Sequence, residues 1–202
     1  MPESQTVFNF IDLFAGAGGL SEGFIQAGFN PIAHVEMNAM AAQTLETRAA
    51  FHYLSSQQDG SVQFYYAYER GEITREELFE HVPAQVIATV INEELSDKSI
   101  KRVFKQIDKS IEDAGVGHID VIVGGPPCQA YSLVGRAQSS HMLVPMDKDP
   151  RNELYKMYTR FLTRYKPEMF VFENVAGIKS ARGGAAYKNL SAGYLQGERP
   201  HL

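Results

Sequence analysis

The 202-residue sequence contains a single cysteine, no tryptophan and no long hydrophobic run. One cysteine excludes an intrachain disulfide framework and any zinc site built on a cysteine pair. No apolar stretch approaches the roughly 20 residues of a membrane-spanning helix, and the first residues lack the basic and apolar regions of a secretory signal. With 44% hydrophobic and 21% charged residues, the composition is typical of a globular protein. We therefore expect a cytoplasmic protein with no membrane partner.

Basic residues are scarce in the first half of the chain. Residues 1–100 contain four basic and fourteen acidic side chains, whereas residues 101–202 contain fifteen basic and ten acidic ones. The two halves therefore carry net charges of −10 and +5, although the whole chain carries only −5. Such an imbalance can mark a surface that faces a polyanion. Two differently solvated faces are the simpler explanation when charge is considered alone.

Short apolar runs alternate with helical patterns along most of the chain. This alternation predicts an α/β fold with a mainly parallel, doubly wound sheet. The predicted strands are residues 8–14, 31–35, 119–123 and 169–172, while 86–91 fits either a strand or a helix. The predicted helices are 20–27, 38–54 with Asn38 as N-cap, 74–80, one that begins at Ser96 or Asp97, and 154–165. Residues 55–85 interrupt the alternation, which predicts an insertion between core elements.

Four predicted strands end in residues that could carry chemistry: the glycines at 16–19, Glu36, Cys128 and Glu173. Ligands bind at the carboxyl ends of the strands in open α/β sheets. The glycines allow the backbone to approach a ligand closely, although a plain tight turn fits them equally well. Glu36 lies 20 residues after Gly16, where an acid can bind ribose hydroxyls. Considered alone, it would be a solvated loop carboxylate.

Cys128 follows two prolines that stiffen the end of its predicted strand. A lone cysteine is more often a small buried hydrophobe, but this placement suits a nucleophile whose thiolate is favoured by local electrostatics. Glu173 would supply an acid at the neighbouring strand end. If its carboxyl is partly desolvated, a raised pKa would suit proton donation near neutral pH.

Three blocks occur in order along the chain: FIDLFAGAGG at 10–19, GPPCQ at 125–129 and ENV at 173–175. Together they resemble the C5-cytosine DNA methyltransferase family of bacterial restriction-modification systems. The resemblance covers about residues 8–180 and implies a Rossmann-like class I methyltransferase sheet that uses S-adenosyl-L-methionine. It implies a catalytic domain over 1–180, with the insertion at about 55–85, followed by an irregular tail over 181–202.

The resemblance also assigns cofactor contacts. Phe14 would contact the adenine, and the loop of Ala15, Gly16, Gly18 and Gly19 would pass close to the methionine end. Glu36 would bind the ribose and Met37 would pack on the adenine. Further contacts are implied for Glu94, Leu95, Pro126 and Leu154, although the family usually has Asp where this chain has Glu94.

The implied chemistry uses Cys128 as the nucleophile toward cytosine C6 and Glu173 as the group that stabilises or protonates N3. The base would be flipped out of double-stranded DNA. The loop after Cys128 resembles the mobile family loop that closes over this base, and Gln129, Ser132 and Arg136 are its candidate DNA contacts. A solvated loop charge is an equal alternative for Arg136.

The second half of the family pattern is not found in this sequence. We find no Gln-x-Arg-x-Arg motif and no target-recognition domain, and we expect the sheet to be incomplete at its C-terminal end. The chain is therefore expected to be a fragment, or one subunit of a split enzyme whose second chain supplies the rest. In either case it is expected to methylate DNA poorly by itself.

Three other functions compete with this interpretation. A tRNA cytosine-5 methyltransferase shares the family motifs, but Ala130-Tyr131-Ser132 is more similar to the DNA enzymes. A non-catalytic module would have lost Cys128 or Glu173, and both are present. A nicotinamide-dependent oxidoreductase would fit the glycine loop and Glu36, but the glycine spacing departs from Gly-x-Gly-x-x-Gly.

Overall fold

The computed structural model describes residues 7–126 and 154–174. The strands in these ranges are β1 (Asn9–Leu13), β2 (Asn30–Glu36), β3 (Val90–Asn92), β4 (Val121–Gly124) and β5 (Met169–Phe172). The helices are α1 (Gly19–Gln26), α2 (Ala39–Ser56), α3 (Val62–Glu69), α4 (Arg75–Glu80), α5 (Ala84–Ile87), α6 (Ile100–Ala114) and α7 (Leu154–Tyr165).

The five strands form one sheet in the order β3-β2-β1-β4-β5, and every neighbouring pair is parallel. This confirms the predicted Rossmann-like sheet. The chain moves outward from β1 through β2 to β3 and then returns to β4 on the other side of β1. The carboxyl ends of β2, β1, β4 and β5 consequently lie side by side, which brings the glycine loop, Glu36 and Glu173 to one edge of the sheet.

The main core lies between the sheet and the pair α6 and α7. The amphipathic pattern predicted for α7 is confirmed, because Met157, Tyr158, Phe161 and Leu162 are all buried. Tyr158 is fully buried, and its hydroxyl donates to the carbonyl oxygens of Ile122 (2.9 Å) and Val171 (3.1 Å). This hydroxyl links β4 to β5, the two strands that lead to the predicted catalytic residues.

Helix ends follow local capping chemistry. The Asn38 side chain accepts from the backbone N–H groups of Met40 and Ala41, as predicted for the start of α2. The prediction that Ser96 or Asp97 caps α6 was wrong, because the N-cap is Ser99. The Ser99 hydroxyl accepts from the Ser96 N–H at 3.0 Å and donates to the Glu94 carbonyl, so a turn precedes the helix.

Residues 55–85 contain α3, α4 and the start of α5 rather than the single predicted helix. These helices pack on α2 around a separate small cluster formed by Ala50, Leu54, Leu78 and Val82. The undecided segment 86–91 divides between two elements, since α5 ends at Ile87 and β3 begins at Val90. The periodicity of this segment indicates neither a helix nor a strand, because the segment contains part of each.

Within residues 7–126 and 154–174, no helix is both long and apolar enough to cross a membrane. The same ranges contain no cluster of three or more His, Cys, Asp or Glu side chains with the arrangement of a metal site.

Candidate active site

The loop after β1 is held in a conformation that favours glycine. Phe14, Gly16 and Gly18 have φ values of 59°, 56° and 86°. A Cβ built on Gly16 would meet no atom within 4 Å, so space is open beside this part of the loop. A Cβ on Gly18 would lie 2.7 Å from Leu45 Cδ2. Gly18 therefore allows the loop to pack on α2, whereas Gly16 leaves its backbone accessible to a ligand.

Glu36, at the end of β2, holds this loop against the neighbouring strand. One carboxylate oxygen accepts the Gly16 backbone N–H at 2.8 Å, and the other accepts the Asn38 N–H at 2.7 Å. The residue is only 9% exposed. Each carboxylate oxygen has a second lone pair that these bonds leave unused. Glu36 can therefore organise the loop and still accept hydroxyl groups from a ligand.

Asn92, which the sequence does not predict as part of the site, contacts the backbone of two predicted cofactor residues. It ends β3, and its side-chain amide donates to the carbonyl oxygens of Glu36 (2.8 Å) and Met37 (3.1 Å). This side chain orients the peptide that carries Met37, whose own side chain is 63% exposed. The available signal is a polar residue directly after the apolar segment 86–91, but that segment fits a helix as well as a strand.

The other predicted cofactor contacts lie in different environments. Leu95 is buried in the main core, whereas Glu94 is exposed. Leu154 is half-buried at the start of α7. The structure thus brings Phe14, Ala15, Gly16, Glu36 and Met37 to the ends of β1 and β2, while Glu94 lies beyond the end of β3.

Asp12 lies beneath the glycine loop and is only 1% exposed. It accepts a hydrogen bond from the Ser21 hydroxyl of α1. Burial raises the pKa of Asp12 to about 7, helped by the negative charge of Glu36 and opposed by the Ser21 hydrogen bond. This titratable carboxyl connects β1 to the first turn of the helix after the loop. The sequence predicts Asp12 only as part of a buried strand.

The ends of β4 and β5 meet as the sequence predicts. The Glu173 backbone N–H donates to the Gly124 carbonyl at 3.0 Å, and the Asn174 side-chain amide donates to the Pro126 carbonyl at 2.9 Å. A Cβ on Gly125 would lie 2.5 Å from Glu173 Oε2. The Glu173 carboxyl therefore occupies space that any larger residue at position 125 would fill.

Glu173 is exposed in this structure. Cys128 lies two residues beyond Pro126 and outside the described residues, as do the predicted DNA contacts Gln129, Ser132 and Arg136. The structure therefore positions the segment that leads to Cys128 but describes none of these four side chains.

The sequence profile of the C-5 cytosine-specific DNA methylase family matches residues 8–63 and 75–192. The unmatched residues between these ranges lie inside the predicted insertion. A type II methyltransferase of Bacillus paralicheniformis is 37% identical over 203 residues, covering 92% of this chain and 44% of the relative. The type II methyltransferase M.AgeI of Thalassovita gelatinovora is 34% identical over 184 residues, covering 90% of this chain and 31% of the relative.

A solved structure from Escherichia coli, described as a prophage-encoded DNA modification methyltransferase, superposes with a TM-score of 0.51 at 25% identity. The match covers 92% of this chain and 37% of that one. The chain thus spans less than half the length of these three proteins. Because the family profile matches most of its residues, the chain belongs to the C-5 cytosine-specific DNA methylase family.

Proposed function

We propose that this chain supplies the cofactor-binding and nucleophile-bearing part of an enzyme that methylates C5 of cytosine in double-stranded DNA. One observation carries the proposal: Glu173 and Asn174 at the end of β5 are hydrogen-bonded to Gly124 and Pro126, the segment that leads directly to Cys128. The Glu173 carboxyl group therefore lies at the end of the strand next to β4, from which the chain continues to Cys128.

The residues around the glycine loop fit S-adenosyl-L-methionine. Glu36 retains lone pairs for the ribose hydroxyls, the exposed Met37 offers an apolar surface for the adenine, and the space beside Gly16 admits a ligand close to the backbone. Phe14 is half-buried at the same edge. When bound, this cofactor supplies an electrophilic methyl group on a sulfonium centre.

The chemistry assigned to the chain's own residues addresses the low reactivity of cytosine C5. The Cys128 thiolate forms a bond to C6, and Glu173 stabilises or protonates N3 so that negative charge does not accumulate on the ring. C5 then has enamine character and would take the methyl group, and the sulfur would keep the electrons of the broken bond as a neutral thioether. Loss of the C5 proton to a base expels the Cys128 thiolate from C6, and any proton placed on N3 returns to Glu173, which restores the neutral aromatic ring.

A cysteine thiolate cannot reach a cytosine that is stacked in a duplex, so the base must be flipped out at a cost of about a few kcal/mol. We assign Gln129, Ser132 and Arg136, which follow Cys128 in the sequence, to contacts with the DNA, with Ser132 and Arg136 as candidate phosphate contacts. The +5 charge of residues 101–202, which contain these residues, is compatible with a polyanionic substrate.

A covalent trap tests the proposal. The chain is incubated with S-adenosyl-L-methionine and duplex DNA containing 5-fluorocytosine, with and without the C-terminal part of the Bacillus relative as a second chain. Fluorine at C5 cannot leave as a proton does, so the adduct persists. In the presence of the second chain, we expect an adduct with the wild type and none with Cys128→Ala. An adduct that persists in Cys128→Ala would refute Cys128 as the nucleophile.

Two further measurements distinguish a DNA methyltransferase from an oxidoreductase and from a tRNA methyltransferase. Calorimetric titration with S-adenosyl-L-methionine and NAD is expected to show binding of the former alone, and preferential NAD binding would favour an oxidoreductase. Methyl transfer to DNA and tRNA is compared in the presence of the second chain. Robust DNA methylation by residues 1–202 alone would contradict the expectation that this chain needs a partner.

A further inference from the structure

A shallow groove of about 910 Å³ runs between α6 and α7. We call it the α6–α7 groove. Two of its lining side chains, Ile100 and Phe104, are apolar, and Thr159 and Thr163 are uncharged. Among the described residues, every charged side chain of the lining is basic: Lys101, Lys156, Arg160 and Arg164. None of the residues that we assign to the cofactor or to catalysis belongs to this lining.

Both helices begin near the carboxyl edge of the sheet. Helix α6 follows the end of β3 and returns the chain to the start of β4. Helix α7 ends shortly before β5 begins, so the start of this 12-residue helix lies about 18 Å from there, toward the carboxyl edge. Lys101 and Lys156 stand in the first turn of their helices. The groove therefore extends from the edge that carries Glu173 along the outer surface of α6 and α7.

The groove keeps an excess of positive charge after its ion pairs are counted. Arg160 lies 2.6 Å from Asp97, and Arg164 pairs with Asp108. Four basic and two acidic side chains leave a net charge of +2. The side chains of both pairs are 43–77% exposed, and exposed pairs of this kind are weak. Among the described residues, none forms an ion pair with Lys101. These cations can therefore bind an external anion.

The arrangement of the cations fits a chain of anions better than one small anion. Lys101 stands on α6, while Lys156, Arg160 and Arg164 follow one another at four-residue intervals on α7 and so share one side of that helix. The Arg164 guanidinium lies 4.8 Å from the centroid of the Phe104 ring, which holds it on the floor of the groove. Lysine and arginine side chains bind the phosphates of nucleic acids, and each contact releases condensed counterions.

We propose that the α6–α7 groove is an additional DNA-contact surface, which binds phosphates of the duplex backbone away from the target base. It adds affinity without reading sequence, because phosphate contacts carry no direct information about the bases. The inference rests on the proposed action on DNA. It assigns a role to part of the basic excess of residues 101–202 that the loop after Cys128 does not use.

Binding of the full chain to a fluorescently labelled DNA duplex is measured by anisotropy between about 50 and 200 mM salt. We expect Lys101→Gln with Arg160→Gln to weaken binding at least ten-fold at the lowest salt. The slope of log K against log salt should fall in magnitude by about 2, since two phosphate contacts are lost. The matched control is Arg70→Gln with Lys109→Gln, which removes the same charge from exposed residues outside the groove. The control should change the affinity less than two-fold.

Lysine acetylation of the wild type gives a readout that needs no substitution. We expect the duplex to protect Lys101 and to leave Lys109 reactive. The proposal is overturned if the groove variant binds like the control, if Lys101 stays reactive, or if the wild type shows no salt-dependent binding. Poly-glutamate that displaces the duplex at equal charge concentration would indicate an acidic protein partner and would also overturn it.

The covalent trap described above separates this inference from the proposed function. If the Cys128 adduct forms but the groove variant binds DNA like the control, only the groove assignment fails. If DNA binding depends on the groove but the adduct does not form with the second chain present, the proposed function fails and the groove assignment is supported.

Discussion

Replacing Glu36 by Gln isolates the contribution of one carboxylate to the glycine loop. The carboxylate accepts two backbone N–H groups at 2.8 and 2.7 Å, one from Gly16 and one from Asn38. Glutamine has nearly the same shape, but it offers only one acceptor oxygen. Its amide nitrogen would face the second N–H donor, so one of the two bonds is lost.

The expected loss of stability follows from the nature of these bonds. A hydrogen bond to a charged group contributes about 1.5–3 kcal/mol, so E36Q should destabilise the chain by that amount. For a chain of this size the melting temperature should fall by about 3–12 °C. If Glu36 also holds the ribose, the affinity for S-adenosyl-L-methionine should fall at least ten-fold, because the remaining oxygen must serve both the loop and the ligand.

Urea denaturation measures the free energy of unfolding, and calorimetric titration measures the affinity for S-adenosyl-L-methionine. Glu72→Gln is the control, because Glu72 pairs with Arg70 on the exposed surface and its replacement should change neither quantity. If E36Q and the control unfolded at the same urea concentration as the wild type, the reasoning about the carboxylate and the loop would be refuted. Unchanged cofactor affinity in a destabilised E36Q would refute only the ribose assignment.

Two other substitutions test the sheet and its buried carboxyl. Burial raises the pKa of Asp12 from 3.8 to about 7, so the folded chain retains a proton that the unfolded chain releases above about pH 4. Stability should therefore fall by roughly 4 kcal/mol as the pH rises from about 4 to 7, and Asp12→Asn should abolish this part of the fall in urea titrations at stepped pH. At Gly124, a Cβ would lie 2.3 Å from the Leu13 carbonyl oxygen, which is held in the β1–β4 ladder. Gly124→Ala should cost about 1–3 kcal/mol or more in the same assay.

Specific results would contradict the predictions for Asp12 and Gly124. A pH profile of Asp12→Asn that runs parallel to that of the wild type would show that Asp12 does not titrate between pH 4 and 7. For Gly124, the matched control is Gly117→Ala, where a Cβ would meet nothing within 4 Å. If the two glycine variants were equally stable, β1 and β4 could move apart at Gly124 without lowering the free energy of unfolding.

Most strands were predictable because they are short apolar runs with clear ends. The predicted strand 169–172 coincides with β5, and the predicted helix 154–165 coincides with α7. The segment 86–91 was not predictable, because two elements meet there within six residues. The helices at 62–69 and 84–87 were missed because their apolar residues pack against α2 and one another rather than against the sheet.

The sequence by itself determined the family, the chemical types of the predicted site residues and their order along the chain. Those properties depend on local motifs, and such motifs can be read without knowing how distant segments meet. It also placed Glu36 and Glu173 correctly at strand ends, because each apolar run stops at that residue.

Only the tertiary structure decided which atoms meet. Parallel pairing places Asp12 opposite His34 and brings the end of β5 against the segment that leads to Cys128. The same packing buries Asp12 and His34, which shifts their pKa values in opposite directions because burial disfavours the charged form of each. It also assigns the two Glu36 oxygens to Gly16 and Asn38. Strand order and register depend on contacts between residues far apart in the chain, and no local pattern encodes them.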